Sequence, residues 1–86
     1  MRVYIPSPLR SYTGQSDQVE VTAATLAEAL LEHDRTFPGI RFRIINEQGD
    51  IREHIKIFVN QDQASTLSKV IGPRDDIMIL CALSGG

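Results

Sequence analysis

The residues with the clearest capacity for chemistry are the two glycines that end the sequence, Gly85 and Gly86. Because neither carries a side chain, this segment could enter a narrow channel in another protein and adopt backbone conformations closed to other residues. The glycines follow an apolar run that begins at Ile77 and is typical of a strand buried in a sheet. We interpret the arrangement as a rigid strand that carries a thin reactive carboxylate. An incidental pair of glycines is the alternative.

Length and composition exclude several classes of protein. A chain of 86 residues has room for one small core, and 9 basic against 11 acidic residues give no basic surface for nucleic acid. A single cysteine cannot form an internal disulfide, and no Cys/His cluster has zinc-ligand spacing. Phosphate-binding loops, a nucleophile elbow and membrane-length apolar runs are absent from the sequence. We therefore expect a cytoplasmic protein without a bound metal or cofactor, without nucleic-acid or membrane partners, and not an enzyme by itself.

The first half of the sequence predicts a hairpin and a helix. Residues 1–5 and 18–22 alternate in polarity, as strands do, and a polar loop through 14–17 joins them. Thr25 and Glu28 have the spacing of a helix capping box, and Pro38-Gly39 ends the helix. The helix places one apolar face at Leu26, Ala29, Leu30, His33 and Phe37. We expect His33 to be a partly buried packing residue rather than a ligand.

The second half predicts the remaining strands. Residues 41–44 and 51–60 are interpreted as a second hairpin, with an extension of the helix through 40–45 as the alternative. Residues 61–76 form a polar connection pinned by Leu67, Val70 and Ile71, and the run from Ile77 is apolar enough for a central strand. The sequence therefore predicts an α+β, β-grasp (ubiquitin-like) fold: a mixed sheet of about five strands with one main helix on one face. Residues 1–83 form the domain and 84–86 a flexible tail.

The alternation of the last strand predicts a docking surface. If Ile77 and Ile79 face the helix, Met78, Leu80 and Phe58 lie on the open face of the sheet, with Tyr4 as a further candidate. A covering segment or the reverse orientation is the alternative. Cys81 shares the orientation of the isoleucines, so we favour a structural role over a sulfur relay.

These residues resemble the MoaD/ThiS type of ubiquitin-like sulfur carriers. The resemblance rests on the strand His54-Ile55-Lys56-Ile57-Phe58-Val59-Asn60, the hairpin 44–49, the turn Asp75-Asp76-Ile77 and the end Gly85-Gly86. It implies that a separate ubiquitin-activating-like enzyme uses ATP to adenylate Gly86. Sulfide or a persulfide donor then yields a thiocarboxylate that supplies sulfur for cofactor, cysteine or natural-product biosynthesis.

The resemblance also implies the partners. The acceptor would be an enzyme such as a molybdopterin synthase large subunit, a cysteine-synthase-like enzyme or a metallohydrolase. Gly86 and Gly85 form the reactive end, and the predicted partner-binding residues are Phe58, Met78, Leu80, Ala82, Leu83 and Ser84. Two alternatives remain: a ubiquitin-like modifier conjugated to lysines, and a non-catalytic β-grasp interaction module.

Overall fold

Alternating apolar and polar residues form a five-stranded mixed sheet in the computed structural model, which describes residues 1–81. The strands are β1 (Arg2–Tyr4), β2 (Gln18–Glu20), β3 (Ile55–Val59), β4 (Asp62–Ala64) and β5 (Asp76–Cys81). Their order across the sheet is β2-β1-β5-β3-β4, so the last strand is central, as predicted. β1 and β5 are parallel, and the other neighbouring pairs are antiparallel.

Helix α1 (Leu26–Thr36) begins at the predicted capping box. The Thr25 hydroxyl accepts a hydrogen bond from the Glu28 amide at 3.3 Å, and the Glu28 carboxylate accepts one from the Ala24 amide at 3.2 Å. These bonds satisfy amides that a helix start leaves free. The helix ends before Pro38-Gly39, as predicted, and it packs Leu26, Ala29 and Leu30 into the core.

The core lies between α1 and the inner face of the sheet. Ile55, Ile57 and Val59 of β3 are buried, as are Ile77 and Ile79 of β5. Neighbouring side chains of a strand point to opposite faces, so Phe58, Met78 and Leu80 lie on the outer face. The predicted orientation of both strands is therefore confirmed, and so is the β-grasp arrangement with its one main helix.

The predicted strand at 41–44 is wrong, because these residues belong to a short helix, α2 (Ile40–Ile44). Ile40 and Ile44 are both fully buried, which the four-residue spacing of a helix permits. The Asp34 carboxylate accepts hydrogen bonds from the amides of Gly39 and Arg41, each at 3.0 Å, and so stabilises the start of α2. Of the predicted hairpin, a single bridge between Ile45 and Ile51 remains.

Two connections also differ from the prediction. Part of the first loop is a 3-10 helix, Ser7–Thr13, anchored by the buried side chains of Leu9 and Thr13. Part of the 61–76 connection is β4, which pairs with β3 through a tight turn at Asn60. Val70 does not pin this connection, since its side chain is 78% exposed, whereas Ile71 is buried.

Candidate functional site

Strand β5 positions the end of the chain. It pairs along one side with β1, where Val3 faces Ile77, and along the other with β3, where Ile57 faces Ile79. A strand bonded on both sides with inward isoleucines is held in place by two ladders and by the core. The predicted reactive residues Gly85 and Gly86 lie outside the described residues. So do Ala82, Leu83 and Ser84, and with them the boundary between domain and tail.

The outer face of the sheet carries an apolar cluster next to β5. Tyr4, Met78 and Phe58 form one row across β1, β5 and β3, and Leu80 lies further along β5. Met78 is 42% and Leu80 43% exposed, while Tyr4 and Phe58 are half-buried. We call these four residues the outer patch. The fold therefore brings together the three predicted partner-binding residues that lie within 1–81, and the candidate Tyr4 with them.

A cleft of about 370 Å³ adjoins the outer patch. Asn60, Gln61 and Asp76 line it together with Tyr4 and Met78. It places polar side chains and a carboxylate beside the exposed thioether of Met78. The patch is thus an apolar surface with a polar border, which is the usual composition of a protein-binding site.

A hydrogen-bonded cluster around Asn60 stabilises the start of β5. The Asn60 amide nitrogen donates to the Asp75 carboxylate, and its amide oxygen accepts from the Asp76 backbone, both at 3.0 Å. The Asp75 carboxylate also accepts from the Gly72 amide at 2.8 Å. The bond from Gly72 and then that from Asn60 hold the pKa of Asp75 below its usual value, because both favour the charged carboxylate. This cluster sets where β5 begins.

A second cleft lies where β5 ends. It measures about 360 Å³, and its lining residues are Pro8, Leu9, Ser11, Tyr12, Arg43, His54 and Cys81. The Arg43 guanidinium donates from Nε to the Tyr12 hydroxyl at 2.6 Å. Sequence reasoning missed Arg43, Tyr12 and His54 as residues that share this cleft with Cys81. No local signal could have found them, because the 3-10 helix, α2 and the approach to β3 converge here only in three dimensions.

The two side chains expected to have structural roles are both packed against the core. Cys81 is half-buried, and the second cleft places His54 on the same lining, although the sequence offered no base for it. His33 is fully rather than partly buried and contacts Phe37 edge-to-face, with ring centroids 5.7 Å apart. Burial lowers the pKa of His33, although the neighbouring Asp34 carboxylate opposes the shift.

Residues 1–81 contain neither a candidate metal site nor a helix suited to crossing a membrane. No group of three or more His, Cys, Asp and Glu side chains in this part of the chain is arranged to hold a metal ion. None of the helices formed by these residues has the length and apolar character needed to cross a membrane.

Known proteins of similar size share this architecture. The chain is 28% identical to the sulfur carrier protein CysO of Mycobacterium tuberculosis over 98% of its length and 96% of that protein. A chain in the crystal structure of the Amycolatopsis orientalis BexX/CysO complex superposes with a TM-score of 0.91 at 30% identity, covering 99% of this chain and 98% of that one. SAMP1 of Haloferax volcanii, a small archaeal modifier protein, gives a TM-score of 0.85 at 25% identity, covering 100% and 98%.

The match to a family model is nearly complete in length. The model described as the ThiS family aligns with residues 3–86, which include the five strands except Arg2 of β1, and also the two final glycines. A single alignment thus covers both the folded domain and the predicted reactive glycines. The chain belongs to the ThiS family.

Proposed function

We propose that this protein is a sulfur carrier whose Gly86 carboxylate is converted to a thiocarboxylate. The observation that carries the proposal is the continuity between β5 and the chain end: the central strand runs to Cys81, and the family match continues through Gly86. The five residues after Cys81 can extend at most roughly 17 Å. That length is enough to reach the active site of an enzyme that holds the folded domain outside.

The chemistry requires activation by a partner, because a carboxylate is a poor electrophile. An adenylating enzyme would join Gly86 to the α-phosphate of ATP and release pyrophosphate. Sulfide, or the terminal sulfur of a persulfide, would then attack the acyl carbon and displace AMP. If the donor is a persulfide, a reductant must cleave the resulting acyl disulfide to free the thiocarboxylate. The protein acts as a carrier and co-substrate in this scheme, and ATP is bound by the partner.

The outer patch is the proposed docking surface for the enzymes that handle the tail. It lies along the strand that leads to Gly86, so a partner seated on Met78 and Leu80 would have the tail within reach. Its exposed apolar side chains would exclude water from the interface, and its polar border would orient the partner. The acceptor would be one of the enzyme classes that use such carriers: a molybdopterin synthase large subunit, a cysteine-synthase-like enzyme or a metallohydrolase.

Mass spectrometry tests the proposal. The protein is incubated with the adenylating enzyme of its own organism, ATP and sulfide, and its intact mass is measured. We expect the wild-type chain to exchange one oxygen for one sulfur at Gly86. Gly86→Ala should bind the enzyme yet load at least about tenfold more slowly, because the added methyl group obstructs a channel shaped for glycine. Equal loading of this variant, or of a chain extended by one residue, would contradict the scheme.

A second candidate function is attachment to target proteins. The similarity to SAMP1, named a modifier protein, favours it, and both functions share the adenylation of Gly86. The two differ in the nucleophile that attacks the adenylate: sulfide for a carrier, a lysine amine for a modifier. Trypsin digestion of cellular protein distinguishes them. Because Arg74 is the last basic residue of the sequence, a modifier would leave the remnant 75–86 on target lysines, and a carrier would leave none.

A further inference from the structure

Three cationic side chains come from elements that lie next to the end of β5. Lys56 lies on β3 directly opposite Leu80, and Arg43 lines the second cleft together with Cys81. Arg10 belongs to the 3-10 helix Ser7–Thr13, which contributes several residues to the same cleft, and it donates from Nε to the carbonyl of Ile5. We call Arg10, Arg43 and Lys56 the exit collar. They come from three separate segments of the sequence, and the fold assembles them near one strand end.

The charges of the exit collar are not neutralised within the described chain. Residues 1–81 form two ion pairs, one between the Met1 amine and Glu20 and one between Arg35 and Glu32, and neither involves the collar. The only hydrogen bond that Arg43 donates within this range goes to the neutral Tyr12 hydroxyl, and Lys56 donates none. The acids nearest along the chain to Arg10, Arg43 and Lys56 are exposed and pair with no collar residue; they are Asp17, Glu47 and Glu53. A local excess of positive charge therefore lies in a molecule with a net charge of -2.

The distribution of these cations indicates the kind of partner. Lys56 points to the outer face of the sheet, whereas Arg43 borders the cleft on the other side of the strand end. Cations on two sides of a strand end do not form a pocket for one phosphate, and the net negative charge disfavours binding to a nucleic acid. Their charges are complementary to carboxylates placed around the entrance of a channel in a partner protein.

We propose that the exit collar docks against an acidic rim around the tail channel of the adenylating enzyme. The inference rests on the proposed function and deepens it. A carrier must dissociate once it is loaded, so its complex with this enzyme has to be transient. Exposed complementary charges suit such a complex, because they accelerate the encounter and fix its orientation without a large gain in affinity.

Adenylation kinetics test the collar. The probe is the organism's own adenylating enzyme, followed by ATP–pyrophosphate exchange at low and high salt. We expect Lys56→Glu to raise the KM for the carrier about 3- to 10-fold at low salt, and the Arg43→Glu/Lys56→Glu pair by more, with kcat unchanged. The difference should shrink as salt screens the charges. Arg74→Glu is the matched control, because it reverses another exposed cation, close to the opposite end of β5; it should change KM less than about 2-fold.

Three results would contradict the proposed docking of the exit collar. Unchanged KM values for Lys56→Glu and the pair would show that it makes no contact. An equal rise for Arg74→Glu would show that only net charge matters. A lower KM for Lys56→Met would show that this position acts as part of an apolar surface. A wild-type chain that is not adenylated at all contradicts the proposed function itself and removes the basis for the collar. Lys56→Glu breaks no hydrogen bond within residues 1–81, so it serves if the Arg43 variant fails to fold.

Discussion

Protonation of His33 is unfavourable in the folded protein. Its imidazole is fully buried, and neither ring nitrogen has a hydrogen-bond partner among residues 1–81. Burial holds its pKa below the ordinary value of 6.5, so the unfolded chain binds a proton that the folded chain excludes. Above pH 6.5 the neutral His33 therefore carries no penalty in the folded state. Below that value the unfolded chain gains the proton, so the free energy of unfolding falls as the pH drops.

We expect the unfolding free energy to fall by up to about 1.4 kcal/mol per pH unit below this point, measured by urea denaturation between pH 7.5 and 5. His33→Leu should flatten this dependence, because leucine fills a similar volume and cannot be protonated. An unchanged slope in His33→Leu would assign the pH dependence to other groups.

Asn60 combines an unusual backbone conformation with two side-chain hydrogen bonds. Its φ of 58° is left-handed, a region in which asparagine is tolerated better than most residues. Asn60→Ala should lower the free energy of unfolding by about 1–3 kcal/mol, because it adds strain and removes the bonds to Asp75 and Asp76. Asn60→Gly relieves the strain but not the lost bonds, so thermal denaturation should place it between alanine and wild type. A glycine variant no better than alanine would contradict the role of the left-handed conformation.

At the scale of elements, substitutions in the outer patch test whether the sheet binds a partner. Leu80→Asp and Phe58→Asp should weaken binding to the adenylating enzyme at least about tenfold in calorimetry, because each places a carboxylate in an apolar contact. Val70→Asp is the matched control: its side chain is also apolar and exposed but lies outside the sheet, so binding should be unaffected. Intact binding by folded Leu80→Asp and Phe58→Asp would rule out docking through the patch.

The elements differ in how far sequence alone could predict them. In β3 and β5, buried isoleucines alternate with more exposed residues. This alternation predicts both strands and their orientation, and from the orientation the outer patch could be predicted. The segment Ile40–Ile44 satisfies both a strand and a helix pattern. The bonds from Asp34 to the start of α2 decide between them, and they join residues whose proximity depends on how α1 ends. The exit collar was unpredictable for the same reason, because Arg43 reaches the end of β5 only through that helix.

At the scale of the whole molecule, residues 1–81 hold five paired strands and the core that packs on them. A chain shortened to end at Cys81 should therefore keep its melting temperature within about 2 °C of wild type while losing all sulfur loading. A chain shortened to end at Ile79 loses Leu80 and Cys81, the partners of Lys56 and Ile55 in the ladder, and should melt at least about 5 °C lower. Calorimetry of the two proteins measures both effects. A large loss of stability in the longer of them would show that residues beyond Cys81 contribute to the fold.

The central position of β5 has a mechanical consequence. An enzyme that grips the chain beyond Cys81 and draws it inward applies force along the axis of β5. Because this strand is bonded to β1 on one side and to β3 on the other, the load is shared by two ladders in shear. An edge strand such as β4 would bear the same force on a single ladder. A pull on the chain end along β5 is therefore resisted by the hydrogen bonds of two neighbouring strands.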